Sequence, residues 1–176
     1  NYLNCMNDTN HPIEEYYDVI VVGAGSAGIG VSILLKNLGM SYVILEKTSI
    51  GASFKQWPKE TRFISPSFTG NFFKMPDLNA ISPDTSPAFD LLTEHPTGEE
   101  YAQYLEQVSK HFNLLIETKV EVKHIEGKDG CFLLNTSNGI YGSMFVIWAA
   151  GEYQYPKTNT FEGNQLCTHY AEVDSF

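Results

Sequence analysis

The 176-residue chain is 43% hydrophobic and carries 21 acidic against 11 basic residues, a formal net charge of −10. That length and composition fit one ordinary globular domain. The acidic balance excludes a sequence-independent nucleic-acid binder, which needs clustered Lys and Arg against phosphates. No apolar run reaches the roughly 20 residues that span a bilayer, so no membrane partner is expected.

Residues 1–16 read as a polar N-terminal tail; Met6 follows a start without Met, and the opening lacks the charged-then-apolar layout of a signal peptide. A soluble, cytoplasmic protein is the expectation. Cys5, Cys131 and Cys167 lie far apart without a CxxC pair. Unconnected thiols are therefore expected, with neither a disulfide framework nor a metal site.

Residues 18–22, Asp-Val-Ile-Val-Val, run into a glycine loop as a fully buried parallel strand does. Over 27–38 the apolar positions Ile29, Val31, Ile33, Leu34, Leu35 and Leu38 predict a helix against a sheet, which Gly39 stops. Residues 42–45 predict a second buried strand closing on Glu46, and the whole has the size of a βαβ unit. Residues 49–98 change character: Gly51, Pro58, Pro66, Gly70, Pro76, Pro83, Pro87, Pro96 and Gly98 punctuate Trp57 and six phenylalanines. Such a stretch is uncommon inside a compact domain, and its aromatic content argues for order, packed over something such as a flat ring system.

Thr97-Gly98-Glu99-Glu100 is a capping box, and Tyr101, Leu105, Val108 and Phe112 then share one helical face. A short strand over 114–117 precedes a meander over 120–125, 131–135 and 140–141, its last turn marked by Asn138-Gly139. Residues 144–149 predict a further buried strand, delivered into Ala150-Gly151. The tail from 152 onward is polar and weakly patterned.

The loop Gly23-Ala24-Gly25-Ser26-Ala27-Gly28 has the GxGxxG spacing, follows a buried strand, opens a helix and is trailed by an acid at the end of the next strand. In that context Gly23 permits the tight turn, Gly25 lets the backbone approach a pyrophosphate, and Gly28 lets the helix pack closely. Backbone N–H groups of the loop, Ser26 and Ala27 included, and the helix dipole would hold the phosphates. Glu46, 18 residues after Gly28, is placed to accept hydrogen bonds from a ribose. A carboxylate there disfavours a 2′-phosphate, which leaves NAD or FAD.

The rest of the chain favours FAD. A plain NAD-binding domain would continue in strand-helix alternation after Glu46. Here an aromatic segment, one helix, a meander and a strand into Ala-Ala-Gly follow. This order resembles the glutathione-reductase-like flavoproteins, as does the opening Tyr17-Asp18-Val19-Ile20-Val21-Val22-Gly23 with Val43-Ile44-Leu45-Glu46-Lys47. The fold expected is α/β, a Rossmann-like parallel sheet with a β-meander.

Within that superfamily the chain resembles the flavin-containing monooxygenases and their bacterial relatives over residues 17–170. Gly51-Ala52-Ser53-Phe54 stands where that family has a GGxW-like stretch. Arg62-Phe63-Ile64-Ser65-Pro66 and Asn71 resemble the segment beside the flavin ring. Trp148-Ala149-Ala150-Gly151 with Pro156 is similar to its ATG turn. The resemblance implies cofactor contacts from Lys47, Ser53, Phe54, Arg62, Ala150 and Gly151, and backbone contacts from Val120 to the adenine. It makes Asn71 the side chain nearest the flavin; Trp57 and Phe68 are candidates to pack on the ring.

The monooxygenase fingerprint is degenerate: Phe161-Glu162-Gly163 is followed by His169, six residues on, with Phe176 as the late aromatic. Between Glu46 and Gly70 there is no cysteine, and none lies in the glycine loop. Thiol chemistry of the glutathione-reductase type is therefore not expected. In the resembled family an NADPH domain is inserted near where this sequence stops. Residues 17–156 thus read as the N-terminal portion of an FAD-binding domain and 157–176 as a linker toward the NADPH domain, so the fold is expected to be incomplete.

The function expected is that of an FAD-dependent oxidoreductase, the FAD-binding part of an NADPH-dependent monooxygenase acting on a small molecule with oxygen. A quinone or thiol reductase on the same scaffold, or a non-catalytic NAD- or FAD-binding module, are the alternatives.

Overall fold

The computed structural model describes residues 13–68, 77–128, 130–152, 155–158 and 160–175. The chain divides into two compact units, one built from the segments before Gly51 and from Phe112 to Ala150, the other from 51–111 and 151–176.

The first unit is a six-stranded sheet. Its elements are β1 (Glu15–Val22), α1 (Ser26–Asn37), β2 (Tyr42–Glu46), β3 (Ile116–Thr118), β4 (Val122–Lys128), β5 (Cys131–Thr136) and β6 (Gly139–Trp148), with sheet order β3-β2-β1-β6-β5-β4. The pairs among β3, β2, β1 and β6 are parallel, while β6, β5 and β4 form an antiparallel meander. This is the α/β fold expected, a parallel Rossmann-like half joined to a meander.

Successive strand residues point to opposite faces, so a strand buried on both sides must be apolar throughout. β1 and β2 obey this rule. Ile20, Val22, Val43 and Leu45 pack on one face with Val120, Leu134 and Tyr141; Val19, Val21, Tyr42 and Ile44 pack on the other with Ala24 and Leu35 of the loop and α1. Helix α1 ends where Gly39, at φ 70°, turns the chain into β2.

Three expectations need correction here. The last meander strand and the strand into Ala150 are one continuous element, β6. Its first half pairs with β5 up to Ser143, and most of its length runs parallel to β1. Nor is its second half fully buried, since Phe145 is 56% and Trp148 62% exposed. The thiol expectation also fails in part. Cys131 is disulfide-bonded, whereas Cys167 is free and exposed; spacing along a chain does not reveal a pair.

The second unit contains the short helices α2 (Ala52–Lys55) and α3 (Pro87–Asp90) and the longer α4 (Gly98–His111). The capping box of α4 is formed as expected: the Thr97 amide donates to Glu100 Oε2 at 2.7 Å, and the Glu100 amide donates to Thr97 Oγ1 at 3.2 Å. Tyr101, Tyr104, Leu105 and Val108 form its buried face.

From α2 to α4, four of the described aromatic residues pack on one another. The rings of Phe54, Trp57, Phe63 and Tyr101 lie with centroids 4.4–6.0 Å apart. Burial pushes the phenol of Tyr101 well above its ordinary range. Among the described residues no helix is long and apolar enough to cross a membrane.

Candidate functional site

The glycine loop leaves β1 at Gly23, which adopts φ 107°, a region closed to most side chains. A Cβ at Gly23 would stand 2.5 Å from the Ala149 carbonyl oxygen and 3.0 Å from Ala150 Cα. The turn after β6 is therefore brought against the loop. A Cβ at Gly28 would fall 1.9 Å from the Gly23 carbonyl oxygen, so the first turn of α1 packs directly on the loop backbone. Both glycines are required by the protein's own geometry.

Gly25 is different. It is the N-cap of α1, with φ −84° and ψ −173°, an extended conformation any residue adopts. A Cβ placed there would meet nothing within 4 Å. Nothing inside the described structure demands glycine at this position.

The loop's donors divide in the same way. The Gly23 amide donates to the Leu45 carbonyl at 2.9 Å, and the Ala24 amide donates to Glu46 Oε2 at 2.8 Å. The first intrahelical bond runs from the Ile29 amide to the Gly25 carbonyl at 3.0 Å. The amides of Gly25, Ser26, Ala27 and Gly28 are thus the first-turn groups that an α-helix cannot satisfy internally. No side chain caps this end and no acid sits in the first turn. With the positive end of the helix dipole, the arrangement can hold an anion.

Glu46 closes β2 and is buried, at 9% exposure. Besides the Ala24 amide on Oε2, its Oε1 accepts from the amide of Thr48 at 2.8 Å and from the Thr48 hydroxyl at 3.1 Å. Thr48 is a participant that the sequence reading missed. A hydroxyl residue two positions after a carboxylate was the available signal, because such spacings form local side-chain to backbone turns.

Lys47 pairs with Glu121 at 2.9 Å across the exposed surface beside Glu46. The hydrogen bond and charge of the ammonium hold the Glu121 carboxyl below its ordinary value. The Val120 amide donates to the Glu46 carbonyl at 2.9 Å, and its side chain is core.

One unit therefore gathers Gly23, Gly25, Ser26, Ala27, Gly28, Glu46, Lys47, Val120 and Ala150. Ser53, Phe54, Arg62 and Gly151 belong to the other. There Phe54 is enclosed by Trp57, Phe63 and Tyr101. Arg62 donates to the His95 carbonyl at 3.0 Å and lies 3.6 Å from Glu100. Ser53 is exposed, and Gly151 turns at φ 83°. His169 stands beside Tyr170 at 5.9 Å between ring centroids. Asn71 lies outside the described residues. Among the described residues no cluster of His, Cys, Asp and Glu could hold a metal ion.

Comparison with known proteins agrees with this geometry. Residues 20–176 match the family described as pyridine nucleotide-disulphide oxidoreductase. An uncharacterized oxidoreductase, CzcO-like, of Geobacillus kaustophilus is 28% identical over 82% of this chain and 38% of its own length. The probable indole-3-pyruvate monooxygenase YUCCA4 of Arabidopsis thaliana is 29% identical over 78% of this chain and 32% of its own. The bacillithiol disulfide reductase Bdr of Staphylococcus aureus superposes with a TM-score of 0.71 at 24% identity, covering 86% of this chain and 43% of that one. The chain thus spans well under half the length of these relatives. The fold, the glycine loop and the family match converge: this chain belongs to the pyridine nucleotide-disulphide oxidoreductase family.

Proposed function

We propose that this chain is the FAD-binding part of an NADPH-dependent, flavin monooxygenase-like oxidoreductase acting on a small molecule with oxygen. The observation that carries the cofactor half of this reading is Gly25. Its side-chain space is empty and its backbone ordinary, yet it stands among the first-turn amides of an uncapped helix. A glycine in that position answers to a group that approaches the backbone closely, as a pyrophosphate does.

In this reading the amides of Gly25, Ser26, Ala27 and Gly28 bind the pyrophosphate. Glu46 accepts the ribose hydroxyls, and the Val120 carbonyl faces the adenine. Lys47, paired to Glu121, flanks the ribose site, and Ala150 lies at the loop. By resemblance, Ser53, Phe54, Arg62 and Gly151 also contact the cofactor, and Asn71 reaches the flavin ring. The flavin supplies the redox chemistry when bound, and the protein binds it, orients it and excludes water.

Oxygen is favoured as acceptor over a thiol or disulfide because residues 47–70 and the glycine loop contain no cysteine to relay electrons. The relative named as a monooxygenase points the same way. The test is turnover by the full-length protein under air with NADPH or NADH, counting oxygenated product against reduced nucleotide consumed. Oxygenated product formed with NADPH supports the proposal. Oxidation of NADPH only when a quinone or a disulfide is supplied would move the protein to the reductase reading.

A further inference from the structure

The Glu46 carboxylate is held from three directions inside the protein. Oε2 accepts the Ala24 amide, and Oε1 accepts both the amide and the hydroxyl of Thr48, at 2.8, 2.8 and 3.1 Å. A carboxylate offers about four lone-pair sites. Three are filled, and the fourth lies on Oε2, the oxygen that also touches the glycine loop.

A buried side chain pinned at both oxygens cannot rotate to offer a different acceptor. Thr48 itself is exposed, lies beyond the end of β2 and takes no part in either core cluster. Among the described residues, its hydroxyl hydrogen-bonds to Glu46 Oε1.

We propose that Thr48 is a positioning residue for nucleotide recognition. By saturating Oε1 it leaves Glu46 a single acceptor site, on Oε2, for the ribose hydroxyls of the adenosine half. This inference rests on the dinucleotide reading above. When the hydroxyl is absent, Oε1 regains an open site and the carboxylate is no longer fixed, so part of the hydrogen-bonding gain is lost in ordering it. The loss falls on ligands that carry ribose hydroxyls and spares those that do not.

The experiment uses the full-length protein freed of flavin and measures by calorimetry the binding of ADP and of 2′,3′-dideoxy-ADP. Wild type, Thr48→Val and Thr48→Ser are compared. Thr48→Val, similar in shape but without the hydroxyl, is expected to weaken ADP about fivefold, the scale of one net hydrogen bond. It should leave the dideoxy analogue within about twofold, inside the scatter of a surface change, and Thr48→Ser should restore the wild-type ratio.

Equal weakening of both ligands would show a merely structural role and overturn the proposal, as would an unchanged ratio in Thr48→Val. A wild type that binds both nucleotides equally would remove the ribose role of Glu46 and the proposal with it. A wild type that binds neither would contradict the dinucleotide reading itself.

Discussion

At the scale of single residues, the glycine loop separates what the fold needs from what a ligand needs. Gly28 has no room for a Cβ, because the Gly23 carbonyl oxygen would be 1.9 Å away and belongs to the backbone. Gly28→Ala is therefore expected to destabilise the protein by about 3 kcal/mol or more, measured by denaturant unfolding of the flavin-free protein. Gly25→Ala should still fold, losing only about 1 kcal/mol as a poorer helix N-cap, since its Cβ meets nothing within 4 Å. The same substitution should weaken FAD about tenfold through a clash with the bound pyrophosphate. If Gly25→Ala bound FAD as wild type does, the loop would not carry the phosphates. The tight turn at Gly23 and the close packing at Gly28 were legible in the sequence, because both are local backbone features. Thr48 was not, since a threonine after a strand matches no phosphate or ribose pattern until its hydroxyl is seen on the carboxylate.

At the scale of elements, the N-terminus of α4 ties stability to pH. The Thr97 amide above all holds the Glu100 carboxyl below its ordinary value of 4.5; burial opposes it, and the Thr97 hydroxyl and the charge of Arg62 add smaller lowering effects. A group whose folded value is depressed adds stability that is fully present above its unfolded value and is lost as pH falls through the folded one. Glu100→Gln keeps an oxygen for the Thr97 amide but cannot titrate. Wild type should thus lose stability more steeply than Glu100→Gln below pH 4.5, as followed by circular dichroism; equal slopes would contradict the assignment.

A second device in this unit is Asp77. Its carboxylate accepts from the Ser86 hydroxyl at 2.6 Å, the Asn79 amide at 2.9 Å and the Phe68 amide at 3.3 Å. Asp77→Ala leaves these donors without their acceptor and should cost about 2 kcal/mol, measured by denaturant unfolding.

Elements also show where sequence reading fails for physical reasons. The capping box and the β-branched runs of β1 and β2 are local signals, and they appeared where expected. β6 was divided in two because Gly142 and Ser143 interrupt its apolar pattern. In the structure Gly142 lies opposite Tyr16 of β1, and a Cβ there would stand 2.7 Å from the Tyr16 ring. The glycine makes room for a neighbour instead of ending the strand, and that neighbour is 126 residues away in sequence (142 − 16).

At the scale of the whole molecule, order of elements carried more information than any one motif. A glycine loop and a terminal acid on β2 suit NAD and FAD alike. The meander inserted between α4 and the second half of β6 distinguished a flavoprotein arrangement from plain strand-helix alternation, and the sheet order β3-β2-β1-β6-β5-β4 realises it. The described rings of the aromatic excursion pack together, but their purpose was not legible, because aromatic rings fill a core as readily as they line a cofactor. Phe54, Trp57, Phe63 and Tyr101 pack against one another, with Tyr101 buried and the other three partly exposed.

The central claim is that the loop from Gly23 to Gly28 and Glu46 hold FAD. It is tested most directly by purifying the full-length protein, recording its visible absorption and identifying the released chromophore by mass. A yellow protein releasing one FAD per chain, and a Gly25→Ala variant that folds but emerges largely colourless, is the predicted result. A colourless wild type that also fails to take up added FAD would contradict the account.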